Sequence, residues 1–163
     1  MIDIYLQPGE YRVAGAGTRL HTLLGSCVSI TLWHPQLRIG AMCHFLLAAR
    51  PRGTRRELDA RYAEEVMPLI VSELAHFGVS VSDCQAKLFG GGNMFQSLVH
   101  RGPSIGHRNG EAARELTLAY GIPVVSESLF GTGHRRIIFE IDSGAVWSRH
   151  VDRAQVPTLK ESR

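Results

Sequence analysis

Cysteine is scarce in this chain. Among its 163 residues there are three, Cys27, Cys43 and Cys84, an odd number without the dense spacing of a disulfide framework. That argues against a stapled secreted scaffold and fits a reducing compartment. No apolar run reaches the roughly 18 residues a membrane span needs. The opening MIDIYLQPGEY has no basic stretch leading into an apolar one, so neither membrane insertion nor a secretory signal is expected, and a cytoplasmic location is. A dominant charge is missing too: 18 Lys and Arg against 15 Asp and Glu leave a formal net charge of +3. The basic residues are scattered, with local pairs at Arg55-Arg56 and Arg135-Arg136 and no aromatic-interleaved stripe, so nucleic acid is not an expected partner. Repeats, low-complexity tracts and Pro/Ser-rich linkers are also lacking, and a single domain over 1–163 follows.

What is present is globular: 44% hydrophobic and 20% charged residues, in a chain long enough to bury a core unaided. Ile2 to Leu6 alternates like a strand, and Pro8-Gly9-Glu10-Tyr11 turns the chain. Arg50 to Arg56 reads as a polar surface loop. Apolar residues at helical spacing from Leu58 to Phe77 predict the longest helix, with Gly78 as its C-terminal cap. Pro68 inside it predicts either a kink or a start about one turn later. A second helix is expected from Asn109, read as an N-cap, to Tyr120, stopping at Gly121-Ile122-Pro123. Short β-like runs at 86–89, 124–129, 136–141 and 145–151 surround it, the last two joined by an Asp142-Ser143-Gly144 turn. This order lacks strict βαβ alternation. The expected fold is α/β, a layered β-sandwich in which antiparallel or mixed sheet packs against two main helices.

The stretch TLLGSCVSITLWHPQLRIGAMCHFLL, from Thr22 to Leu47, carries the chemistry. Val28, Ile30 and Leu32 alternate with Cys27, Ser29 and Thr31, and Ile39, Ala41, Cys43 and Phe45 with Gly40, Met42, His44 and Leu46, so each strand has one fully apolar face. A four-residue loop at His34-Pro35-Gln36-Leu37 would pair Leu32 with Ile39, Ile30 with Ala41, Val28 with Cys43 and Cys27 with His44, keeping every apolar residue on one face. Directly opposed side chains have Cβ atoms about 5 Å apart, so Cys27 and His44 form a candidate pair. Cys43 points into the apolar face as a small buried hydrophobe. A structural zinc site would want four convergent ligands, whereas Cys43 and His44 project to opposite faces; no metal is expected. On geometry alone, a catalytic Cys/His pair and an ordinary buried pair stand equal. The setting of Cys27 favours catalysis: Gly25-Ser26 permits a tight backbone path whose amides can face a substrate oxygen, and an imidazole at His44 could promote the thiolate.

Taken with Ala86-Lys87-Leu88-Phe89-Gly90-Gly91-Gly92-Asn93-Met94-Phe95, Ile105-Gly106-His107-Arg108-Asn109 and Gly121-Ile122, this stretch resembles the chemoreceptor glutamine deamidase family, CheD, from Gly9 to about Val151. The resemblance implies an α/β sandwich whose catalytic logic is similar to that of papain-type enzymes and bacterial toxin deamidases. It implies Cys27 as nucleophile, His44 as general base and Thr22 as the third residue, with His21 the alternative where members carry the threonine one place earlier. It implies a protein-glutamine glutaminase acting through a thioester on methyl-accepting chemotaxis receptors, needing no cofactor, with a CheC-type phosphatase as regulatory partner. A non-catalytic adaptor on the same fold, and hydrolysis of receptor glutamyl methyl esters, are the alternatives.

The glycine run Gly90-Gly91-Gly92 lacks the lysine and hydroxyl of a phosphate-binding loop. It reads as a turn needing positive φ or close backbone approach. The resemblance adds Gly91, Gly92, Asn93 and Arg108 as groove residues beside Gly25 and Ser26, where the oxyanion would sit. Cys84 and the remaining histidines need no catalytic role.

Overall fold

The structure, a computed structural model, describes residues 1–51, 57–94, 102–152 and 158–162. Expectations for the loop at 52–56, including Arg55-Arg56, and for Phe95 lie outside the described residues. The described strands form two five-stranded sheets. One runs β1 (Ile2–Tyr5), β3 (Thr18–Leu24), β8 (His134–Glu140), β9 (Val146–Val151) and β10 (Thr158–Ser162). The other runs β2 (Tyr11–Gly15), β5 (Ile39–Cys43), β4 (Val28–His34), β6 (Gln85–Gly90) and β7 (Val124–Leu129). Both are mixed, since β1 pairs with β3 and β6 with β7 in parallel while the other neighbours are antiparallel. Helices α1 (Ala63–His76) and α2 (Ile105–Ala119) cover one face of the second sheet. The expected layered α/β arrangement with two helices is therefore found.

The period-2 pattern of β4 explains the layering. Val28, Ile30 and Leu32 join Ala41, Cys43 and Phe45 under α1 and α2, in a core completed by Val66, Ile70, Leu74 and Leu88. The opposite faces supply Met42 and Phe89, which meet Leu20, Leu24, Ile137 and Phe139 between the sheets. Cys43 is fully buried and its thiol is pushed up to about 12 by that burial, as befits a small apolar residue. Among the described residues, no helix is long and apolar enough to cross a membrane.

Helix α1 takes the later of its expected starts, and the start of α2 and the β4–β5 register differ from expectation. Helix α1 starts at Ala63, about one turn after Leu58, so Pro68 falls in its second turn; it ends as predicted at Gly78, whose φ of +74° supports the Val79 N–H to Leu74 O and Gly78 N–H to Ala75 O bonds of a Schellman cap. Helix α2 starts at Ile105, four residues before Asn109, because Ser104 takes the cap and accepts from the His107 amide at 3.1 Å. The β4–β5 register also differs: His34 pairs with Ile39, Leu32 with Ala41 and Val28 with Phe45. The loop is Pro35 to Arg38, closed by the Arg38 N–H to His34 O bond at 2.9 Å, with Arg38 at φ +50°, and the His34 ring accepts from Leu37 N–H. A two-residue slip preserves every face. The apolar sorting survives it, and direct opposition of Cys27 and His44 does not: they become diagonal neighbours on the same inner face.

Candidate active site

The site sits where the first sheet meets the start of β4. Thr22 lies on β3 between the inward-facing Leu20 and Leu24, so alternation buries its hydroxyl between the sheets. His44 follows β5, with its backbone bonded to Glu10 and Gly9. The Thr22 hydroxyl donates to the Leu6 carbonyl at 2.9 Å and lies 2.7 Å from His44 Nδ1. One hydroxyl has one proton, and it is spent on Leu6. Thr22 Oγ1 therefore accepts from Nδ1–H, which fixes the neutral tautomer with its lone pair on Nε2. That Nε2 is buried and, among the described residues, has no hydrogen-bond partner.

His21, the alternative third residue, points to the outer face. Its Nε2 is 2.8 Å from Asp3 Oδ1 and its ring stacks on Tyr5 at 4.4 Å. Asp3 in turn is held down to about 2, chiefly by its bonds to Arg19 and then His21. Of the two candidates, Thr22 is the one that touches His44.

Burial holds His44 down to about 4 and pushes the half-buried Cys27 thiol up. Burial of both groups thus disfavours their charged forms, the thiolate of Cys27 and the imidazolium of His44. This shift has a consequence for folding. An unfolded histidine protonates near 6.5, so between that pH and about 4 the unfolded chain binds the extra proton. The His44 contribution is fully present above about pH 6.5 and is lost as pH falls towards about 4, amounting to about 3 kcal/mol. Urea unfolding of wild type and His44→Gln at successive pH values should show a steeper acid decline in wild type; parallel declines would contradict it.

Cys27 is placed by its backbone. Three consecutive carbonyls are held from different directions: Gly25 O accepts from Gly92 N–H at 3.0 Å, Ser26 O from Asn109 Nδ2 at 3.0 Å, and Cys27 O from Gly91 N–H at 3.0 Å. Asn109 Nδ2 also donates to Leu46 O at 2.7 Å, two residues past His44. A buried helix residue therefore ties the Gly25-Ser26-Cys27 loop to the segment carrying the imidazole. The glycine run must approach closely to do this: at Gly90, φ +109°, a Cβ would lie 2.2 Å from Cys27 O. Behind it, the buried Arg135 guanidinium donates to Gly90 O, Phe130 O and Ser128 Oγ.

The sequence-derived candidates are therefore gathered in part. Thr22 and His44 bond directly, while Gly25, Ser26, Cys27, Gly91 and Gly92 form one clamped loop. Asn93 joins that loop's outer side through its amide to Gly131 O, and Arg108 is exposed on α2 away from the His44 groove. Asn109 reads in the sequence as a cap, within a Gly106-His107-Arg108-Asn109 stretch that the resemblance sets beside the groove. The signal for more is the stripe of small buried residues at Gly106, Gly110, Ala113 and Thr117 on α2, which marks a close approach with a buried amide in it. A groove of about 680 Å³ reaches Thr22 and His44 past Leu6 and Gln7 from the outer face of the first sheet.

The sequence agrees with one family throughout. A family model described as CheD chemotactic sensory transduction matches residues 46–150. The chain is 56% identical over 155 residues to a probable chemoreceptor glutamine deamidase CheD 2 of Albidiferax ferrireducens, covering 92% of this chain and 88% of that one. It is 43% identical to a probable chemoreceptor glutamine deamidase CheD 3 of Dechloromonas aromatica (89% and 85% covered) and 43% identical to a like-named protein of Pseudomonas fluorescens (91% and 84%). With the glycine run, the Ser26 carbonyl and Asn109 meeting in one clamp inside the span these proteins share, the chain belongs to the CheD chemotactic sensory transduction family.

Proposed function

We propose that this protein is a cytoplasmic protein-glutamine deamidase that converts glutamine side chains of chemoreceptors to glutamate, with Cys27 as nucleophile, His44 as base and Thr22 as the residue that orients the ring. The observation that carries the reading is the buried, unpartnered His44 Nε2, its tautomer set by Thr22. A buried imidazole lone pair left without a partner costs stability in the resting protein, which makes sense if a reacting group supplies the partner.

The reaction starts from a neutral pair. As the Cys27 sulfur adds to the carboxamide carbon, Nε2 takes the thiol proton, so the ion pair forms together with the new bond rather than before it. The imidazolium then gives that proton to the departing nitrogen, ammonia leaves, and a thioester remains on Cys27. Water, deprotonated by the same Nε2, adds to the thioester; the thiol leaves with the proton and the glutamate is released. Because the carbonyls of Gly25, Ser26 and Cys27 are each occupied by a donor, the orientation of the intervening peptides is preset, which favours the developing oxyanion. The division of labour between nucleophile, base and orienting residue is similar to that of papain-type enzymes and bacterial toxin deamidases, and the family resemblance adds a CheC-type phosphatase as the proposed regulatory partner.

Incubating the protein with a purified chemoreceptor cytoplasmic fragment should add about 1 Da for each glutamine converted, NH₂ being replaced by OH, with release of ammonia. Binding of the fragment without any mass gain would instead favour an adaptor.

A further inference from the structure

The groove that reaches Thr22 and His44 is larger than one glutamine side chain needs, and among the described residues its lining includes Arg136 and Arg149 but not Cys27. Arg136 on β8 and Arg149 on β9 are direct cross-strand partners, both exposed, with Leu23 opposite Arg136 on its other side. Like charges set directly opposite each other in a sheet are unfavourable, so an arginine pair here needs a counter-charge. Among the described residues no carboxylate forms an ion pair with either, although Arg19, Arg61 and Arg114 pair with Asp3, Asp59 and Glu127. His134, beside the pair on β8, lines the same groove, and so do the exposed Leu23 and Tyr5. Among the described residues, the wall thus joins two guanidinium groups without an ion-pair partner to an apolar strip, in the groove that also reaches His44.

We propose that Arg136 and Arg149 bind a carboxylate of the substrate segment that carries the target glutamine, so that glutamines in acidic stretches of the receptor are selected. The choice of occupant rests on the deamidase reading; the docking is tested apart from it. Guanidinium forks match carboxylates in geometry as well as charge, and Leu23 and Tyr5 would take the apolar side of the same segment.

The test measures binding and turnover separately. Binding is measured with full-length Cys27→Ala protein, which cannot turn over, and a chemoreceptor cytoplasmic fragment, compared with a copy whose glutamates next to the target glutamine are changed to glutamine. Arg136→Gln and Arg149→Gln should each weaken binding of the acidic fragment about tenfold, leave the amide copy's already weaker binding unchanged, and weaken further on adding salt less than wild type does. Arg136→Glu/Arg149→Glu should lose the acidic fragment and bind a copy carrying lysines at those positions, a gain that a misfolded variant could not produce. Equal binding of the two fragments, variants within about twofold of the parent, or arginine-dependent self-association in place of fragment binding would each overturn the proposal. Mass gain with wild type alongside unchanged binding in the variants would sink the docking site and keep the deamidase; arginine-dependent binding without mass gain would do the reverse.

Discussion

Cys27→Ala should abolish conversion of glutamine to glutamate on a chemoreceptor fragment, lowering kcat by about 10⁴-fold or more, because no other group in the site can form the thioester. His44→Ala should be almost as damaging. In the described geometry the thiol is raised by burial and has no charged neighbour to lower it, so without an acceptor for its proton it stays inert at neutral pH. Thr22→Val should retain more activity and lose about 10²-fold: it deletes the acceptor for Nδ1–H, freeing the proton to move to Nε2 and the ring to turn, without removing the base. The ranking matters as much as the sizes. If Thr22→Val were as dead as Cys27→Ala, the threonine would be acting on the substrate directly; if Cys27→Ala kept full activity, the nucleophile assignment would fail outright. Ammonia release and intact mass together separate these outcomes.

Gly106→Ala should cost about 2 kcal/mol of stability and a larger share of activity. Elsewhere in a helix this change helps, by up to about 1 kcal/mol, since alanine is the better helix former. Here the sign reverses. A Cβ on Gly106 would stand 2.3 Å from Gly92 O and 2.7 Å from the Gly91 carbonyl, all backbone atoms that cannot rotate away, and overpacking of this kind costs about 1 to 3 kcal/mol. Either α2 or the glycine loop must move, and the loop amides are what hold Cys27 O and Gly25 O. Gly121→Ala is the comparison: it has φ +70° with nothing within 4 Å, so it should lose about 1 kcal/mol through backbone strain alone and keep its kcat. Chemical denaturation and kcat measured on both variants decide it; a Gly106→Ala protein as active as Gly121→Ala would mean the clamp does not position the thiol.

Much of this was readable in the residues because alternation and punctuation are local. The apolar faces of β4 and β5, the Gly78 cap and the turn at 142–144 came directly from spacing. The hairpin register did not, since the same faces fit two registers two residues apart and the turn chemistry of Pro35 and Arg38 chose between them. Asn109 was hidden for a different reason. An asparagine before an apolar pattern looks like a cap, and only the tertiary approach of Ser26 and Leu46 reveals it as a buried donor. The arginine pair Arg136 and Arg149 was equally invisible, because a cross-strand neighbour is fixed by pairing and not by position along the chain.

The carbonyl clamp has a bearing on when the thiol acquires its surroundings. Cys27 belongs to the first fifth of the chain, but Ser26 waits for Asn109, 83 residues later, and the glycine loop is itself secured by Arg135, a further 45 residues beyond Gly90. Contacts so distant in sequence form late, after the loop-closure entropy between them has been overcome. A nascent chain emerging from the ribosome therefore carries Cys27 without the contacts that fix its backbone for most of its synthesis, and those contacts are complete only once Arg135 on β8 has been made.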